Sequence, residues 1–288
     1  MIKQKTVANK VYCKGVGLHS GLDITLTLAP APEDAGIVFK RTDNGLDAIV
    51  PASYKNVADT RLCTCLSDDK GNLVSTTEHL MAAFHAFGIT NVIAEVSGPE
   101  LPLMDGSAAD FVFLLREAGV KEQSKPAKFL QIKKTIRAEE DGAYLEVSAA
   151  DKGLTVDFDV EYPCKFIGRQ RYVFSLSEDA FADEIAPART FGLEKEVEMI
   201  RAAGLAKGGS LDNVLIANDD GVLNPGGVRF PDEFVRHKIL DLIGDMYTSG
   251  YSLIGKLTAN KSGHKINNML LKTLFADKDA WEIVELPE

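Results

Sequence analysis

The sequence predicts an α+β protein built from two related units, and three observations lead to that expectation. Strand-like runs precede helical patterns in each half of the chain, a polar stretch with a proline separates the halves, and 288 residues suffice for two cores. The expected units are residues 1–125 and 126–288. Their similarity is architectural, with no convincing repeat at the level of residues.

In the first half, "DITLTLAP" alternates apolar and polar residues as a half-buried strand does, and "GIVFKRT" and "NVIAEVSG" follow the same period. Two helical patterns, "TTEHLMAAFHAFG" and "SAADFVFLLREAG", both stop at glycine, the common residue just past a helix end. The second runs into "VKEQSKPAKF", whose polarity and proline mark the boundary near residue 125. The second half opens with the strand patterns "FLQIKKTIRAEE", "AYLEVSAA" and "LTVDFDVEYP". Three helical patterns follow, "LEKEVEMIRAAG", "DEFVRHKILDLIGDMYTSG" and "INNMLLKTLFAD".

Composition excludes several function classes. A formal charge of −10, from 32 basic and 42 acidic residues, opposes non-specific nucleic-acid binding, which needs a basic surface. It leaves room for a phosphorylated small molecule held by one or two lysines. No run approaches the roughly 18 apolar residues of a membrane span, so a cytoplasmic protein is expected. Cys13, Cys63, Cys65 and Cys164 lack disulfide-framework or zinc-finger spacing and are expected to be reduced thiols.

The helical pattern from Asp232 carries Val235, Ile239, Leu242 and Met246 as a core-facing stripe. His237 and Asp241 share another face, one turn apart, where they can converge on a divalent ion. From this helix alone an exposed hydrogen-bonded pair is the favoured reading. A third ligand is offered by His79, next to Glu78 at the start of a helix; adjacent helical side chains diverge by about 100°, so one can bind a metal while the other addresses a water. Ser75 and Glu78 also match a capping box, at least as good a local explanation of the glutamate. His85 points to a different face from His79 and reads as a surface histidine. A His/His/Asp set with an open fourth position is the pattern of a catalytic zinc. His264 lies at the start of the last helical pattern, and Asp245, four residues beyond Asp241, is a candidate partner that would favour its charged form. The "KGGS" at 207–210 and the glycines of "CKGVGLHSG" fit neither a phosphate loop nor a dinucleotide fingerprint.

With "CKGVGLHSG", "TTEHLMAAFHAFG", "PARTFG", "FVRHKILDLIGD" and "KSGH" in order, the chain resembles the UDP-3-O-acyl-N-acetylglucosamine deacetylases of Gram-negative lipid A synthesis. The resemblance spans nearly the whole chain. It implies two α+β units packed helix layer to helix layer, each with an insert, and a zinc ion between them on His79, His237 and Asp241. Glu78 then corresponds to the general base, Thr190 to a hydroxyl that stabilises the oxyanion, and His264, held by Asp245, to the group assisting amine departure. Phe191 is carried over as a contact to the substrate sugar, with Lys238 and Lys261 near the sugar nucleotide and Lys261 the candidate phosphate contact. The segment at about 193–216 corresponds to the insert forming an acyl passage, lined here by Val197, Ile200, Ala206, Leu211 and Ile216. The uridine-stacking aromatic stays open between Phe158 and Tyr162. The implied partner is the UDP-linked acylated glucosamine, handled by a monomer, with Zn2+ as cofactor and Fe2+ an alternative occupant. The rival readings are a zinc hydrolase of another amide or ester, and a non-catalytic protein held together by structural zinc.

Overall fold

The computed structural model describes every residue except Asn44, Leu46, Asp47 and Glu288. The first half builds a sheet in the spatial order Val11–Val16, Asp23–Pro30, Val92–Val96, Ile37–Arg41 and Ile49–Pro51. Alternation buries Ile24, Leu26 and Leu28 on one side of Asp23–Pro30, as its period requires. Helices α1 (Glu78–Phe87) and α2 (Ala109–Ala118) follow, and each ends at a glycine with positive φ, Gly88 at 64° and Gly119 at 68°. The mixed α+β class predicted from the sequence is the one observed.

The polar stretch after α2 forms a strand, Val120–Pro126, antiparallel to Lys3–Val7. Its side chains are mostly exposed, so backbone pairing holds it without an apolar pattern. Pro126 sits at its last position, where a missing donor does least harm.

In the second half the long strand Ser252–Asn260 pairs with Phe129–Ile132, Ala143–Ser148 and Leu154–Glu161. The short helix α3 (Glu178–Ala180) continues into a π-helical turn, Phe181–Ile185. Helix α4 (Glu194–Ala202) joins two short parallel strands, Phe191–Leu193 and Leu215–Ala217, and buries none of its own side chains fully. Helices α5 (Glu233–Tyr247) and α6 (His264–Ala276) complete this half.

The two halves meet where α1 packs along α5. Gly244 makes that approach possible: a Cβ there would lie 2.0 Å from the Glu78 carbonyl oxygen. Helix α5 is therefore buried on nearly all faces, its apolar residues together with His237, Asp241 and Asp245. His85, expected at the surface, is buried too: its Nδ1 lies 3.2 Å from the Ile243 carbonyl oxygen and its ring stacks on Tyr247. It shares its face of the helix with Met81 and Ala82 and turns toward the other half.

Candidate metal centre

Helix α1 presents His79 and helix α5 presents His237 and Asp241 to one point. One ligand atom from each lies within 4.8 Å of the others, all three side chains are buried, and the group could hold a metal ion. Asp241 Oδ1 stands 3.6 Å from His79 Nε2 and 3.4 Å from His237 Nε2. Burial, with His237 alongside, pushes the His79 imidazole down to about 3. His237 is likewise lowered by burial, so both rings are neutral near pH 7 and have a lone pair to offer. His237 Nδ1 donates to the Ala188 carbonyl at 3.0 Å, which fixes the tautomer that leaves Nε2 bare. Burial opposes ionisation of Asp241, but the Lys238 ammonium outweighs it and holds the carboxylate charged. Lys238 Nζ takes Asp241 Oδ2 at 2.7 Å, leaving Oδ1 to the histidine side.

A second group overlaps the first. Ligand atoms of Glu78, Asp241 and His264 also lie within 4.8 Å of one another. Glu78 does not close a capping box: the N-cap of α1 is Thr77, without a side-chain cap bond, and Ser75 Oγ donates to Cys65 Sγ instead. Glu78 Oε2 accepts the Thr64 backbone N–H at 3.0 Å, and burial pushes its carboxyl up to about 8. His264 Nδ1 lies 2.8 Å from Asp245 Oδ2. Burial alone would lower this imidazole, but the Asp245 carboxylate overrides it and raises the pKa to about 9. Asp245 is itself held by the Thr64 hydroxyl at 2.5 Å and the Asn267 amide at 2.8 Å.

Thr190, Phe191, Lys238 and His264 line one cavity of about 200 Å³ together with His237 and Asp241. Tyr162 shares that wall, whereas Phe158 is fully buried and has no face to offer a base. Lys261 pairs with Glu161 at 2.6 Å and keeps nearly half of its side chain exposed. Val197, Ile200, Ala206, Leu211 and Ile216 all line a neighbouring apolar cavity of about 170 Å³, which Thr190 and Phe191 also border. The backbone around the site is unusually constrained, with Leu62 at φ 64°, Thr76 at 57° and Lys261 at 52°.

Several participants carried no separate signal. Thr64 lies in "RLCTCLSD", where only the cysteines stand out, yet it bonds both Glu78 and Asp245. Asn267 follows His264 by three residues, one helical turn, and that spacing was the available clue. Leu18 and His19 of "CKGVGLHSG" reach the apolar cavity from the first half.

Comparison with known proteins gives a consistent picture. The family model described as "LpxC: UDP-3-O-acyl N-acetylglycosamine deacetylase" matches residues 4–276. The UDP-3-O-acyl-N-acetylglucosamine deacetylase of Shewanella oneidensis is 46% identical over 286 residues, covering 99% of this chain and 93% of its own. Its counterpart in Histophilus somni is 46% identical over 290 residues, covering 100% of this chain and 95% of its own. That of Pasteurella multocida is 46% identical over 286 residues, with 99% and 93% covered.

Proposed function

The chain belongs to the UDP-3-O-acyl-N-acetylglucosamine deacetylase family, and from that membership and the site geometry we propose that it is a zinc-dependent deacetylase. The reaction is hydrolysis of the acetamide of UDP-3-O-(3-hydroxyacyl)-N-acetylglucosamine to the free amine and acetate, an early step of lipid A synthesis. One observation carries this reading: Asp241 belongs to both clusters, so a metal trio and a proton-handling pair lie side by side.

His79, His237 and Asp241 fit zinc, being two neutral imidazoles and a carboxylate brought to one point. When bound, the ion supplies Lewis-acid polarisation of a carbonyl and lowers the pKa of water to about 7. Glu78 takes the proton from the attacking water, and burial raises its affinity for that proton above that of an exposed carboxylate. His264, cationic below about pH 9, gives a proton to the departing amine. The Thr190 hydroxyl, on the cavity wall, donates to the oxygen that becomes negative. Lys238 keeps Asp241 ionised while bordering the space for the sugar nucleotide, and Phe191 flanks the sugar. Lys261 exchanges Glu161 for a phosphate, and the apolar cavity takes the acyl chain.

All these groups come from one chain, which suits a monomeric enzyme. No helix among the described residues is long and apolar enough to cross a membrane, which suits work in the cytoplasm. The test is acetate release before chelation, after it, and after zinc or iron(II) is restored. Activity that vanishes and returns supports the reading and ranks the metals. Zinc-loaded, folded protein that releases no acetate across several acyl lengths would refute it.

A further inference from the structure

Helix α5 begins with Glu233, a carboxylate with no solvent exposure and no place in the chemistry above. Its partners all lie in the segments just before the reactive elements. Oε1 accepts the Arg189 backbone N–H at 3.0 Å and Arg189 Nε at 2.9 Å. Oε2 accepts Arg189 Nη2 at 3.2 Å and the Arg229 backbone N–H at 2.5 Å. We infer that Glu233 is a positioning residue, which sets the 187–190 loop against α5 and thereby places both the Thr190 hydroxyl and the Ala188 carbonyl that orients His237.

Residues 188–190 have no regular secondary structure, so their place depends on the bonds they accept and donate. The Pro187 carbonyl receives Arg229 Nη1 at 2.8 Å, the Ala188 carbonyl receives His237 Nδ1 at 3.0 Å, and the Arg189 N–H goes to Glu233. Thr190 N donates to the Gly106 carbonyl at 2.7 Å, and its own carbonyl receives Leu215 N at 2.9 Å. The Arg229 guanidinium also reaches Asp105 at 2.8 Å, which ties the loop to the first half of the chain.

Glu233 stands one helical turn before His237 on the same helix. A carboxylate there links the loop rigidly to the helix that carries two of the three ligands. A buried ion pair contributes little net stability compared with apolar residues of equal size. Four directed bonds, however, fix a loop in a way that apolar packing does not. The guanidinium fork suits this role, since Arg189 meets both carboxylate oxygens and has Nη2 within 2.8 Å of the Gly227 carbonyl.

For Thr190 the inference rests on the deacetylase reading; for His237 it rests on the metal site alone. The test therefore has two arms, applied to the full-length Glu233→Gln and Arg189→Lys variants. In the first, zinc affinity of the metal-free protein is measured by chelator competition, and the visible spectrum of the cobalt(II) form is recorded. In the second, kcat and KM for acetate release are separated. Glu233→Gln keeps the shape but turns an amide N–H toward the existing donors. It is expected to weaken zinc binding by about 10- to 100-fold and lower kcat by a similar factor, with KM within about twofold. Arg189→Lys is expected to move the same quantities less, with a changed cobalt spectrum in both variants. A merely structural pair would lower the melting temperature and leave affinity, spectrum and kcat alone, and that result in either folded variant overturns the inference. If Glu233→Gln does not fold, Arg189→Lys decides by the same readouts. Wild-type protein that binds zinc but releases no acetate refutes the reaction and leaves the metal arm to judge Glu233.

Discussion

The crossing of α1 and α5 and the insert around α4 border adjoining cavities but are built to opposite rules. At the crossing, His79, Glu78, His237, Asp241 and Asp245 are buried, and four of them are held by named partners: His237 by Ala188, Asp241 by Lys238, Glu78 by Thr64, Asp245 by three donors. In the insert, α4 buries nothing fully, Met199 is 66% exposed, and the cavity it borders is lined mostly by apolar groups without directed bonds. Positions that handle protons tolerate little displacement, because a misplacement of about 1 Å costs on the order of 100-fold in rate. A surface that holds a flexible hydrocarbon needs area and tolerance instead. Substitutions at the crossing should therefore act on turnover, and those in the insert on apparent affinity.

The largest effect is expected from Glu78→Ala. It removes the proposed base without removing a proposed ligand, so kcat should fall about 10²- to 10⁴-fold while bound zinc, measured by elemental analysis, stays at one equivalent. Unchanged turnover at saturating substrate would remove Glu78 from the mechanism.

Gly244→Ala attacks the same region through packing. A methyl group 2.0 Å from the Glu78 carbonyl forces α1 and α5 apart. Overpacking of this kind costs about 1–3 kcal/mol of stability. Because Glu78 and His79 ride on the displaced turn, kcat should drop about 100-fold even where the protein is still folded. Thermal unfolding and kinetics measured together would separate the two effects.

Asp245→Asn sharpens the comparison through pH. His264 has a raised pKa, so its cationic form is present below about pH 9 and is lost as pH rises through that value. The basic limb of the rate profile should lie there in the native enzyme. Without the Asp245 charge, only Glu78 and Asp241 still oppose burial, so the imidazole pKa falls and the limb should move toward acid. At pH 8 kcat would fall about tenfold or more, with a smaller loss near pH 6. A basic limb that stays in place would detach it from His264.

How much of this was legible beforehand follows from the same contrast. Helix α5 announced its stripe, its His–Asp pair and its second carboxylate through spacing alone. What spacing does not carry is whether a polar face meets water or another helix. The exposed-pair reading of His237 and Asp241, the surface reading of His85 and the capping reading of Glu78 all arise from that ambiguity. Local sequence was also silent where a strand is held by backbone pairing, as at Val120–Pro126 and at Arg169–Ser175, whose side chains are mostly exposed. Thr64 was invisible for a different reason, since its hydroxyl meets a carboxylate 181 residues away. In the insert, the apolar spacing of Val197 and Ile200 was legible, and both residues do border the cavity.

The smallest effect is expected in that insert. Ile200→Ala removes methylene and methyl groups from the cavity wall, and each buried carbon that an acyl chain would have touched contributes about 0.8 kcal/mol at most. Since Ile200 is only partly buried in the free protein, stability should change little, within about 0.5 kcal/mol. The contact is the same in the bound ground state and the transition state, so its loss should raise KM about fivefold and leave kcat alone. The change should shrink as the acyl chain is shortened and vanish for a chain too short to reach α4. A fall in kcat instead would mean that the insert also shapes the reacting end of the substrate, and the division between the two regions would fail.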